Sequence, residues 1–149
     1  MAIFPVPSVV SICSLLIMSI QDIKRKEISL WLILVYVLSG IIASIFLYSM
    51  MDVVFSLIPG ALMLFLAFVS EEKIGYADGL ISIGLGIWMG AEFSVIVIIL
   101  SFGCVGAYSI VFILIEMIKK KGINVQKQLP FIPFLLGGLV MSIGYVYSM

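Results

Sequence analysis

Two aspartates, Asp22 and Asp78, stand at the ends of long apolar stretches in a chain that places almost no other charge near such stretches. Asp22 follows the first hydrophobic run in Gln21-Asp22-Ile23-Lys24-Arg25-Lys26, and Asp78 opens the fourth in Ile74-Gly75-Tyr76-Ala77-Asp78-Gly79-Leu80. A carboxylate at a membrane boundary costs free energy unless something there uses or satisfies it. Paired carboxylates hydrolyse amides when one, ionised, takes a proton from water while the other, protonated, polarises the carbonyl. Two such groups within a few ångströms hold one proton between them, because both resist being charged at once.

Each aspartate also has a structural alternative. Asp78 is placed to cap a helix N-terminus, which Asp does well, and spacing alone puts that role level with catalysis. Asp22 stands beside Lys24, Arg25 and Lys26, so local sequence favours a solvated loop residue paired with them. Gly75, Ala77 and Gly79 surround Asp78 with minimal side chains and leave room for an extended peptide backbone. Tyr76 is either a hydrogen-bond donor or an interfacial aromatic.

The chain has no histidine, which removes the usual metal ligand, triad base and proton shuttle. Its two cysteines, Cys13 and Cys104, both lie inside apolar runs. Neither a disulfide framework nor a Cys-rich zinc site can be built from them, and both read as packing residues. Acid–base chemistry therefore falls to carboxylates, and no metal or cofactor is expected.

The elements that must hold the two acids are membrane helices. With 64% hydrophobic and 11% charged residues and a mean hydropathy of +1.35, the chain departs far from the roughly 25% charged residues of a soluble domain. Its 149 residues leave room for one domain, residues 1–149, and for no sizeable soluble part. A formal net charge of zero and a pI near 6.1 point to no polyanion partner, so nucleic acid is not expected, and the apolar composition makes the lipid bilayer the surroundings.

Dividing the chain at its charges leaves apolar runs at residues 3–20, 30–51, 53–70, 79–91, 93–115 and 129–149. Five are long enough to cross a hydrocarbon core as helices. The fourth reaches that length if its helix starts near Gly75, which draws Asp78 into the first turn. Backbone in lipid must satisfy its own hydrogen bonds, so an all-α bundle of six transmembrane helices is expected.

All eight Lys and Arg fall between runs one and two, three and four, or five and six. A six-span chain thus carries every one on a single side, which the positive-inside tendency makes cytoplasmic. Both termini are then extracytoplasmic, Asp22 and Asp78 share the cytoplasmic face, and Asp52 and Glu92 mark tight connections opposite. An N-terminus without a basic segment agrees with its translocation and argues against a cleaved signal peptide. Gly84, Gly86, Gly90, Gly103 and Gly106 suit close helix packing, and Pro59 with Gly60 predicts a kink in the third helix. Residues 119–128 read as a polar loop, with Glu116 within one turn of Lys119 or Lys120.

The residues flanking both acids resemble a known family. Asp22 and the following Ile23-Lys24-Arg25-Lys26-Glu27-Ile28-Ser29-Leu30-Trp31-Leu32 resemble the first signature of the type IV prepilin peptidases. Gly75-Tyr76-Ala77-Asp78, with Gly79-Leu80 and the later Gly84-Leu85-Gly86-Ile87-Trp88-Met89-Gly90, resembles the GxGD motif and the glycine-rich helix after it. Leu129-Pro130-Phe131-Ile132-Pro133-Phe134-Leu135 resembles the C-terminal Pro-Phe-Gly-Pro-Phe segment. Ala77 stands for the second glycine of GxGD, and Ile132 for the glycine between the prolines. Longer members carry a methyltransferase insert with paired CxxC motifs. This chain has neither, so it resembles the minimal, peptidase-only members, archaeal preflagellin peptidases among them.

The resemblance implies a membrane aspartyl endopeptidase with Asp22 and Asp78 as catalytic pair. Gly75, Tyr76, Ala77, Gly79, Pro130, Phe131 and Pro133 would belong to its substrate-access motifs. Its substrates would be prepilin, pseudopilin or preflagellin precursors, cut after a short basic leader at the cytoplasmic membrane face. Glu71 and Glu72 are acids that such a leader would meet, or simply a solvated loop face.

Two other classes stay open. An intramembrane protease of the presenilin or signal-peptide-peptidase kind also uses a GxGD aspartate, but sets its catalytic acids deeper within helices. A small transporter or scaffold would use the pair to bind a cation or to cap helices, and a transport site belongs near the midplane on broken helices.

Overall fold

The computed structural model describes residues 5–25, 27–70, 75–118 and 130–148. Its six helices are α1 (Pro5–Arg25), α2 (Leu30–Leu47), α3 (Met50–Val69), α4 (Tyr76–Met89), α5 (Ala91–Ile118) and α6 (Ile132–Ser148). Lys26, Glu71, Glu72, Lys73 and the polar loop at 119–128 lie outside the described residues, as does the side chain of Glu116.

Four helices, at Val6–Arg25, Leu30–Leu47, Met50–Val69 and Ala91–Ile115, are long and apolar enough to cross a membrane. The expected fifth, α6, has only 17 residues, about 26 Å of helix. It starts at Ile132, after a bend at Phe131. Phe134 and Leu135 both donate backbone N–H bonds to the Phe131 carbonyl, at 3.0 and 3.1 Å, and Pro130 stays outside the helix.

The second and third runs divide earlier than their charges suggest. Ser49 is the N-cap of α3: its Oγ accepts from the Asp52 N–H at 3.5 Å, while the Asp52 carboxylate accepts from the Ser49 N–H at 3.4 Å. This reciprocal capping box puts Met51 and Asp52 in the first turn of α3, not in a connection. Glu92 likewise lies in the first turn of α5, and the chain turns at Gly90, whose φ of +86° favours glycine.

The 14-residue α4 is the axis of the bundle. It packs against α1, α2, α3 and α5, and α6 packs against α1 and α5. Every residue from 84 to 89 is buried, as expected of a helix apolar on all sides. Close approach explains its glycines. A Cβ at Gly86 would meet the Ser56 carbonyl oxygen, and one at Gly60 would meet the backbone of Ile83. A Cβ at Gly103 or Gly106, by contrast, would meet nothing within 4 Å among the described residues, so the packing expected of them is not made there. The third helix continues unbroken through a buried Pro59.

Several polar groups inside the bundle have partners. Tyr36 Oη donates to Ser11 Oγ at 3.1 Å, and Trp88 Nε1 donates to the Tyr36 carbonyl at 3.1 Å, so α1, α2 and α4 are joined by two aromatic residues with polar tips. Buried Ser82, Ser101 and Ser142 donate to carbonyls one turn back, at 2.7, 2.6 and 2.8 Å. These local bonds remove most of the cost of burying a hydroxyl. The outside is apolar, with Phe46, Met50 and Ile118 almost fully exposed, a surface that suits lipid.

Candidate active site

Asp22 lies in the last turn of α1, which runs on through Lys24 and Arg25. It is therefore a helical residue and not the loop residue that its basic neighbours suggest. Its partly buried carboxylate turns toward α6, where Oδ2 accepts from the backbone N–H of Ile132 at 3.4 Å. The preceding Gln21 holds the chain between α1 and α2, its Oε1 accepting from the Ser29 N–H at 3.3 Å.

Asp78 is the third residue of α4, and Gly75 occupies the N-cap position with extended backbone. The Asp78 N–H donates to the Gly75 carbonyl at 3.1 Å, and the Gly75 N–H donates to the Asp78 carboxylate. Asp78 therefore satisfies the helix start from inside the first turn, where a negative charge meets the favourable end of the helix dipole. A Cβ on Gly75 would stand 3.2 Å from Asp78 Oδ2. Glycine lets the carboxylate fold back over it.

The C-terminal end of α1 and the N-terminal ends of α4 and α6 thus meet at one end of the bundle. There the charge of Asp22 acts on Asp78. Gly75 and Tyr76 are exposed beside the pair, whereas Ala77 packs against the core. Gly79 is buried, and the space its side chain would need is filled by Leu64 of α3, so its size serves helix packing. Pro130 and Pro133 flank the turn that opens α6, and the ring of Phe131 packs on Phe102 of α5 with centroids 5.2 Å apart. Among the described residues, no group of three or more His, Cys, Asp or Glu could hold a metal ion. The site brings together two carboxylates at helix ends, one of which feels the charge of the other.

The model of the type IV leader peptidase family matches residues 9–111, a stretch that includes both aspartates. The chain belongs to the type IV leader peptidase family. No curated protein and no solved structure matches it. As a leader peptidase with four long apolar helices, it is a multi-pass membrane protein. The family match ends before α6. The Pro130–Pro133 turn joins the site through the tertiary contact between Ile132 and Asp22, which sequence alone does not reveal. The available signal is chemical: Phe131, at the head of α6, has no side-chain oxygen with which to cap a helix, so an acceptor must come from elsewhere.

Proposed function

We propose that this leader peptidase is an aspartyl endopeptidase of the cytoplasmic membrane, a single domain over residues 1–149, with Asp22 and Asp78 as its catalytic pair. Its substrates are type IV prepilin-like precursors (pilins, pseudopilins or preflagellins), from which it removes the short basic leader at the cytoplasmic membrane face. The observation that carries this reading is that the ends of α1 and α4 bring Asp22 near enough for its charge to bear on Asp78, both within the family-matched region. Their place at helix ends favours cleavage of a leader outside the bilayer over cleavage within a spanning helix. The one-sided distribution of Lys and Arg supports a cytoplasmic site and extracytoplasmic termini.

In the reaction, one carboxylate takes a proton from water as its oxygen attacks the scissile carbonyl carbon. The protonated carboxyl gives its proton to the carbonyl oxygen. Collapse of the resulting diol breaks the C–N bond: the proton taken from water passes to the leaving amine, and a diol hydroxyl returns its proton to the second carboxylate. The two acids supply all of this chemistry, with no metal or cofactor. The test is co-expression with a prepilin-like precursor. Wild-type protein shortens the precursor by its leader, and neither Asp22→Asn nor Asp78→Asn does so. Cleavage by either variant overturns the assignment.

A further inference from the structure

The backbone at the start of α6 leaves one donor to account for. Pro133 has no N–H, and the N–H groups of Phe134 and Leu135 both go to the Phe131 carbonyl. The N–H of Ile132 goes instead to Asp22 Oδ2, 110 positions away in sequence. We propose that the first turn of α6 is a positioning element for Asp22: the Ile132 N–H holds one carboxylate oxygen and so orients the other for the reacting water. The inference rests on the aspartyl reading and deepens it.

Several contacts hold that N–H in place. The Ile132 side chain is 0% exposed. Phe131 packs on Phe102, and Phe134 packs on Tyr108 with ring centroids 5.5 Å apart, so two aromatic contacts tie the turn to α5. The flanking prolines restrict the backbone further. A backbone donor, unlike a side chain, has no rotamer through which to withdraw. Asp22 lies near the C-terminal end of α1, where the helix dipole disfavours an anion, and the N-terminal end of α6 offsets this. Because the contact uses only the main chain of Ile132, it is compatible with the glycine that the similar motif carries there. The 3.4 Å separation is long for such a bond, and catalytic hydrogen bonds commonly tighten when substrate binds.

Among the described residues, the charged groups nearest Asp22 in the fold are Asp78 on α4, which feels its charge, the exposed Lys24 and Arg25 on its own helix, and the exposed Glu27 just after it. Neither α2 nor α6 carries an ionised side chain.

The test replaces Ile132 in the full-length protein by its α-hydroxy acid, so that an ester removes the N–H and keeps the side chain. Cleavage of a purified prepilin-like precursor is followed against substrate concentration and pH. The expected result is a fall in kcat of roughly tenfold or more with KM within about twofold. The acidic limb of the pH profile moves to higher pH, because a carboxylate that loses a donor protonates more readily. Ile132→Pro places proline at the first helical position, which tolerates it, and repeats this pattern. Ile132→Val keeps the N–H and recovers most of what the proline loses. Wild-type kcat and an unmoved acidic limb in the ester or proline variant overturn the proposal. A readout that leaves α6 intact is the Ile132 amide proton shift in detergent micelles. It follows the activity-limiting titration in wild type and loses that dependence in Asp22→Asn, and a shift indifferent to pH in wild type also overturns the proposal. Cleavage by Asp22→Asn would instead defeat the aspartyl reading itself, whatever Ile132 does.

Discussion

Asp22, in the last turn of α1, and Asp78, in the first turn of α4, lie close enough for the charge of one to act on the other. Each is also bound to a backbone N–H, Asp22 to that of Ile132 and Asp78 to that of Gly75. These anchors limit how far either carboxylate can move from the other, and the predictions below follow from them.

Asp22→Asn and Asp78→Asn each lower the rate of leader cleavage by at least about 10²–10⁴-fold, the usual share of a positioned acid or base. Both variants remain in the membrane fraction, since the amide is nearly the same size as the carboxylate. The measurement is precursor processing normalised to the amount of membrane-bound peptidase.

The two substitutions at position 22 separate chemistry from structure. An Asn side-chain oxygen can still accept the Ile132 N–H, whereas Ala leaves the start of α6 without its cap. Asp22→Ala is therefore expected to be less stable than Asp22→Asn by about 0.5–2 kcal/mol, although both are inactive. Thermal unfolding in one detergent reads the difference, and equal stabilities would count against the cap.

Cleavage rises and then falls with pH. Below the first titration of the pair both carboxyls are protonated and no base remains to take the proton of water. Above the second both are ionised and no acid remains to polarise the carbonyl. Activity is confined to the interval between them, and the two limits belong to the pair as a unit. A rate that climbs to a plateau without an alkaline limb would exclude a protonated carboxyl as the acid.

Glycines on α4 and α5 respond oppositely to a methyl group. Gly86→Ala drives a Cβ into the Ser56 carbonyl oxygen and costs about 1–3 kcal/mol or more through overpacking. Gly103→Ala meets open space and is neutral or stabilising by up to about 1 kcal/mol, through a better helix propensity. Melting temperatures in detergent compare the two. Destabilisation at Gly103 would mean that another surface covers it.

The six helices, their membrane character and the two acids were legible in the sequence because composition, run length and residue type are local properties. The start of α4 near Gly75 was also legible, but not its length: α4 ends at Met89 after 14 residues, short of the spanning length expected of it. The capping box at Ser49 and Asp52 was local too, but it was hidden inside what reads as a charge break between apolar runs.

What the sequence by itself determined is therefore a six-helix leader peptidase with an acid beside each of two apolar runs, and it did not place Asp22 within a helix. Only the tertiary structure decided which faces meet. A helix apolar on every side carries no pattern to say which stripe packs inward, so the sequence does not separate Gly75, folded over by Asp78, from Gly79, filled by Leu64. Nor does it distinguish Gly86, pressed on Ser56, from the open Gly103. The bond from Ile132 to Asp22 was beyond reach for the same reason. It joins a main-chain donor to a distant side chain, and its existence depends on α6 packing against α1, which no local preference specifies.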